Sequence, residues 1–206
     1  MRIQSFYFGS YASNLYLVTD DAGEAAVLID PSLSPKRIET KIGKLPPIGT
    51  IVLTHGHFDH MLALEEWRRA TGAPLAIHAS DAPSLCDPSL SCYRQFLGED
   101  VCHAPAEILL GDGDRIRVGR EELAVLSTPG HTPGSIVLDT GEQVITGDTI
   151  FAEGGYGRCD LPGGDSNVLL ASLRRILSLS GERRLYPGHG GETLLSEAKT
   201  NFLYLM

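Results

Sequence analysis

No Lys- or Arg-rich block interrupts this chain of 206 residues, and 26 acidic side chains against 17 basic ones leave a formal net charge of −9. Neutralised phosphates dominate binding to nucleic acid, so this balance argues against such a partner. No apolar run reaches the roughly 20 residues that a membrane-spanning helix needs, and no membrane association is expected. The opening stretch, Met1–Phe8, alternates like a strand and lacks the long apolar core of an export signal. Cysteine is scarce: Cys86, Cys92, Cys102 and Cys159, with no Cys-x-x-Cys pair. With no export signal, a chain of this size is expected to keep its thiols reduced and to reside in the cytoplasm. No short-period repeat is visible. Gly111-Asp112-Gly113-Asp114 has no Gly-Lys-Ser/Thr after it, which excludes a phosphate loop and leaves a hairpin-type turn.

Hydrophobic content of 42% and charged content of 21% are ordinary for a globular protein, and the length suits one domain over 1–206, or two fused half-units. Strands are expected at 2–8, 14–18, 25–29, 50–53 and 73–77, and again at 115–118, 122–127, 135–139, 143–146 and 184–186. Helices are expected over 35–43, opened by a proline, over 61–71 with Gly72 at the stop, over 168–179, and over 192–204. The stretch 79–105 holds Pro83, Pro88, Pro105 and three of the four cysteines. It reads as short helices and loop, a candidate lid. Strands and helices alternate in two similar halves with many hairpins, which places the chain among α/β proteins.

The chain is organised around Thr54-His55-Gly56-His57-Phe58-Asp59-His60, which follows the apolar run Thr50–Leu53. Extended backbone alternates its side chains, so His55, His57 and Asp59 face one way, and His60 falls where the chain turns into a helix. So dense a set of ionisable groups is costly to bury unless a cation compensates it. Three later turns repeat one device, a short apolar strand running into a Gly-bearing turn with one His or Asp. They are Thr128-Pro129-Gly130-His131, Thr146-Gly147-Asp148 and Pro187-Gly188-His189. Functional loops gather at strand ends, so these four can meet at one rim. A zinc ion with an open position takes three protein ligands. Seven candidates, His55, His57, Asp59, His60, His131, Asp148 and His189, therefore suit two ions sharing a carboxylate. Asp59 and Asp148 are also the candidate catalytic carboxylates. His78 and His103 lack any such context and are expected to be structural or exposed.

These motifs, in this order and across almost the whole chain, resemble the metallo-β-lactamase-fold hydrolases. The stretch Phe151–Asp165 is similar to the short glyoxalase II-like (hydroxyacylglutathione hydrolase-like) members. The resemblance implies a four-layer αββα sandwich of two mixed β-sheets flanked by helices. It also implies His55, His57 and His131 on one metal, Asp59, His60 and His189 on the other, and Asp148 bridging. Members that hydrolyse β-lactams carry Cys or Ser at the position of Asp148, which disfavours antibiotic hydrolysis here, and the RNA-processing members fit poorly with the −9 charge. Leu62–Leu64 departs from the small residues that many members carry. Only 17 residues follow His189, so the C-terminal helical domain that grips glutathione is expected to be absent.

The expected chemistry is attack of metal-bound hydroxide on a small thioester or ester of the S-acylglutathione type, with one metal stabilising the oxyanion. Two divalent ions serve as cofactors, zinc first, with iron or manganese also suited to imidazole and carboxylate ligands. Arg158 and Tyr156, in the Gly-rich stretch after Asp148, are the candidate substrate contacts, with Arg158 alternatively paired to Asp160 or Asp165. Asp30 is a candidate partner for a ligand histidine. The resemblance also supplies an alternative, a persulfide dioxygenase with one iron on His55, His131 and Asp148, and the Arg158-Cys159-Asp160 element suits it. Lactone hydrolysis would use the same metals.

Overall fold

The computed structural model describes residues 1–7 and 12–205, so Phe8, the last residue of the first expected strand, lies outside the described residues. Two six-stranded sheets form among them. The first runs, in spatial order, β1 (Arg2–Phe6), β2 (Leu15–Thr19), β3 (Ala26–Ile29), β4 (Ile48–Val52), β5 (Leu75–His78) and β6 (Ile108–Leu110). The second runs from β7 (Arg115–Val118) through β8 (Glu121–Ser127), β9 (Ile136–Asp139), β10 (Gln143–Gly147) and β11 (Arg184–Pro187) to β12 (Thr193–Leu194). Both sheets are mixed. Strands β3 to β6 are parallel, as are β10 and β11, and the other pairs are antiparallel.

The period of two along the strands builds the layers. Leu15, Leu17, Leu28, Ile51, Leu75 and Ile77 face outward from the first sheet, onto Ile38 of helix α1 (Pro35–Ile42) and Leu64 and Trp67 of helix α2 (Leu64–Thr71). The alternate residues, Tyr16, Val18, Val27, Ile29, Val52 and Ala76, meet Leu123, Val125, Ile136, Leu138 and Ile145 of the second sheet. Beyond it, Val137, Val144 and Leu185 pack under α4 (Ser166–Leu177) and α5 (Leu195–Asn201). Helix, sheet, sheet, helix is the four-layer αββα arrangement. The helix ends follow local chemistry. Gly72 closes α2 in the left-handed conformation at φ 67°, and the Asp165 side chain caps α4 by accepting from the N–H groups of Asn167 and Val168.

Between β5 and β6 lie a 3₁₀ turn (Ala82–Leu85) and the short helix α3 (Tyr93–Leu97), which cover one side of the strand-end rim. Here the structure corrects an expectation: Cys86 and Cys102 form a disulfide, and only Cys92 and Cys159 are free. The intervening turns fold this segment back on itself and bring the two Cα atoms to 4.0 Å. Cysteine usage therefore no longer argues for a reducing compartment. No helix among the described residues is long and apolar enough to cross a membrane.

Candidate metal centre

Strands β3 and β4 run parallel with Ile29 opposite Val52, so Asp30 and the His55–His60 loop leave the first sheet at one rim. In the second sheet β10 and β11 are parallel, and Gly147 pairs with Pro187. Asp148 and His189 follow directly. Strand β8 is antiparallel to β9, which is antiparallel to β10, so β8 ends at the same rim and delivers His131. Backbone bonds tie the ends together: Ile136 N donates to Thr54 O at 2.9 Å and Asn14 N to Gly188 O at 2.7 Å. All seven residues singled out in the sequence meet there, while His78 and His103 do not. His78 lies beside Ser127 Oγ, and His103 is buried between Tyr93 and Glu65.

Three ring nitrogens form one corner of the site. His57 Nδ1 is 3.1 Å from His55 Nε2 and 2.9 Å from His131 Nε2, and the latter two are 3.2 Å apart. Neighbours set the tautomers. The carbonyl oxygen of Arg158 can only accept, so His131 Nδ1 donates to it at 2.7 Å and the ring is held with Nε2 towards the other two. Thr54 gives its hydroxyl hydrogen to Asp30 Oδ2 and can then only accept from His55 Nδ1 at 3.2 Å, so His55 Nε2 is bare. Burial and the adjoining imidazoles hold His55 well below the usual histidine range and lower His57 to about 3. Three ring nitrogens thus converge on one point, an arrangement that a cation between them makes favourable.

The opposite corner joins Asp59, His60 and His189. His189 Nε2 lies 3.0 Å from Asp59 Oδ2, and His60 Nε2 is 3.8 Å from the same oxygen. Asp30, fully buried, accepts from His60 Nδ1 at 2.8 Å and so holds the ring with Nε2 towards Asp148. Burial opposes charge on His60, but Asp30, Asp148 and Asp59 together raise its affinity for a proton, and His189 is raised the same way by Asp59 and Asp148. Burial likewise disfavours charge on Asp59 and Asp148, yet the neighbouring imidazoles lower both carboxyls. Asp148 sits between the corners, with Oδ1 3.3 Å from His60 Nε2 and Oδ2 3.5 Å from His131 and 3.6 Å from His189. A Cβ at Gly188 would come within 2.1 Å of Asp148 Oδ1, so only glycine lets that strand end approach.

The residues fit a metal on their own geometry. His60 Nε2 and Asp148 Oδ1, both turned into the site, are buried with no hydrogen-bond partner, a cost that folded proteins rarely carry without an ion or water. Each corner offers three ligand atoms lying within 4.8 Å of one another, and His55, His60 and Asp148 form a third such group between them. The centre opens into a cavity of about 390 Å³ lined by Phe58, Cys92, Phe96, Phe151, Tyr156 and Leu161. Phe58 and Phe96 stack with centroids 5.5 Å apart. Arg158 also lines it, but its exposed guanidinium is held by both oxygens of Asp160, the first of its alternative partners, while Asp165 caps α4 instead. Of the aromatic wall the sequence singled out Tyr156 but not Phe58, Phe96 or Phe151, and it did not point to Asp81, which bonds two of the histidine-bearing loops. A Ser-Asp-Ala-Pro turn carries no local signal of that partnership.

The motif match extends to whole chains. A family model for the metallo-beta-lactamase superfamily matches residues 9–189, and the chain belongs to that superfamily. Among its relatives, the probable metallo-hydrolase YqgX of Bacillus subtilis is 36% identical over 208 residues, covering 98% of this chain and 96% of its own. The crystal structure of TTHA1623 in a di-iron-bound form shares 36% identity at a TM-score of 0.79 over 96% of both chains. BLEG-1 B3 metallo-beta-lactamase shares 31% at a TM-score of 0.90 over the whole of both. ETHE1 from Myxococcus xanthus shares 29% at 0.76, over 98% of this chain and 83% of that one.

Proposed function

We propose that this metallo-β-lactamase-superfamily chain is a hydrolase of the glyoxalase II-like kind that uses two divalent ions to cleave a thioester or ester. His55, His57 and His131 would hold one ion, Asp59, His60 and His189 the other, and Asp148 would bridge. The observation that carries this reading is Asp148, whose two oxygens address both corners while one of them has no hydrogen-bond partner. Zinc suits the ligands, iron gains support from the di-iron form of TTHA1623, and manganese is the third option. Such ions supply Lewis acidity towards a carbonyl and a water that loses its proton near neutral pH.

The chain's own residues do the rest. Asp30, Thr54 and the Arg158 carbonyl hold the rings with their lone pairs inward. Asp59 and Asp148, kept as carboxylates, would set negative charge against the ions and orient the attacking water. Phe58, Phe96, Phe151 and Leu161 give the acyl group an apolar wall that excludes bulk water, and Tyr156 adds a flat contact with a polar tip. Arg158 remains the contact for an anionic thiol portion, but such a group must compete with Asp160. A thiolate leaves without a dedicated acid.

A second reading is a mononuclear iron persulfide dioxygenase on His55, His131 and Asp148. The likeness to ETHE1 favours it, as does the mutual approach of those three groups. It gives no task to His57, Asp59, His60 and His189, which converge equally well. The test is turnover of S-lactoylglutathione, a lactone and a β-lactam by metal-loaded protein, with and without oxygen. We expect thioester hydrolysis at one rate in both atmospheres. Turnover strictly tied to oxygen uptake would move the chain to the dioxygenase class, and β-lactam cleavage alone would make it a lactamase.

A further inference from the structure

We propose that Asp81 is a positioning residue that builds the three-histidine corner by clamping its two loops together; this rests on the two-ion reading above. Asp81 lies just beyond β5, in the turn that opens the covering segment, and is 4% exposed. Its carboxylate bonds no imidazole. Oδ2 accepts from Gly56 N at 2.9 Å and from Thr132 Oγ1 at 2.7 Å, and Oδ1 accepts from Gly134 N at 2.6 Å. Gly56 separates His55 from His57, and Thr132 follows His131. One carboxylate thus joins the backbone of the His55–His57 loop, from the first sheet, to that of the His131 loop, from the second.

The seating is tight. A Cβ on Gly134 would lie 2.7 Å from the Asp81 carboxyl group, and one on Gly56 would lie 1.8 Å from Ser84 Oγ. Ser84 Oγ in turn donates to the Asp81 carbonyl at 2.6 Å, which fixes the turn from within. The two glycine N–H groups take their acceptor from Asp81 alone among the bonds described, as neither belongs to a strand ladder. Three donors converge on two oxygens, which an ionised carboxylate satisfies and an amide does not. Partners that orient ligand groups without binding metal typically alter affinity by about 10–100-fold.

The test uses the full chain stripped of metal and titrated with Zn²⁺ against a chromophoric chelator, with Co²⁺ absorption reporting the ligand geometry. His57→Ala identifies which of two binding steps belongs to the three-histidine corner. Asp81→Asn is expected to weaken that step by about 10–100-fold, to change its Co²⁺ spectrum, and to leave the other step unchanged. Thr132→Val removes one donor, keeps the carboxylate, and should weaken the same step by less; it also serves if Asp81→Asn does not fold. Wild-type behaviour in both variants overturns the proposal. So does equal weakening of both steps with a matching fall in the melting temperature of the ion-free protein, because Asp81 would then support the fold in general. A wild-type chain with a single binding step would sink the two-ion reading instead. The clamp would then be judged on that step: selective weakening by Asp81→Asn supports it, and no change refutes it.

Discussion

Replacing Asp30 by Asn probes the logic that turns imidazole lone pairs inward. Asp30 is fully buried at φ 51° and accepts three bonds, from Thr54 N at 2.8 Å, Thr54 Oγ1 at 2.7 Å and His60 Nδ1 at 2.8 Å. An asparagine oxygen can still accept from Thr54 N, but its NH₂ then faces His60 Nδ1. His60 must accept there and carry its proton on Nε2, the atom turned towards Asp148. A protonated Nε2 cannot ligate. The loss of a partner behind a metal ligand costs about 10–100-fold in affinity, or about 1.4–2.7 kcal/mol. The ion-free protein also loses a buried charged hydrogen bond worth about 1.5–3 kcal/mol, which for a chain of this size lowers the melting temperature by roughly 3–12 °C. Metal titration and thermal melts of Asp30→Asn measure both effects. Unchanged affinity in the step that His189→Ala abolishes would refute the tautomer argument.

Asp148→Ala should lose metal and activity together, whereas Asp148→Asn keeps its shape and should bind more weakly; elemental analysis with activity assays checks both. Phe96→Ala removes one aromatic face of the cavity; a substrate ring packed on it gains about 0.5–1.5 kcal/mol, so KM for aromatic acyl substrates should rise roughly 2–10-fold with kcat little changed. Asp160→Asn frees the Arg158 guanidinium and should lower KM for an anionic thioester but not for a neutral one of equal size. Arg158 lowers the Asp160 carboxyl to about 2. That depressed value makes the pair's contribution present above the ordinary carboxylate range and lost only as pH falls towards 2, so the preference between the two substrates should stay constant from about pH 6 to 8.

The convergence of the seven candidate residues was legible because each sits in a loop after a short apolar run, and strand ends are where such loops meet. The layers followed from alternation, since Leu15, Leu17 and Leu28 face the helices while Tyr16, Val18 and Val27 face the other sheet. The helix expected over 192–204 is shorter because Thr193 and Leu194 pair with β11, and a two-residue strand has no period to read. Strand β6, three residues after a proline-rich loop, escaped for the same reason. Asp81 and the Cys86–Cys102 bridge depend on long-range proximity, and a turn aspartate looks alike whether it caps its own turn or holds loops 25 and 53 residues away.

Two ions working together on a hydrolysable bond leave a direct signature in the metal dependence of the rate. Metal-free protein should be titrated with Zn²⁺ under anaerobic conditions while hydrolysis of S-lactoylglutathione is followed. The rate should climb to its plateau only as the second equivalent binds, with no need of oxygen. Full activity at one equivalent, or none at any metal level until oxygen is admitted, would contradict two-ion hydrolysis.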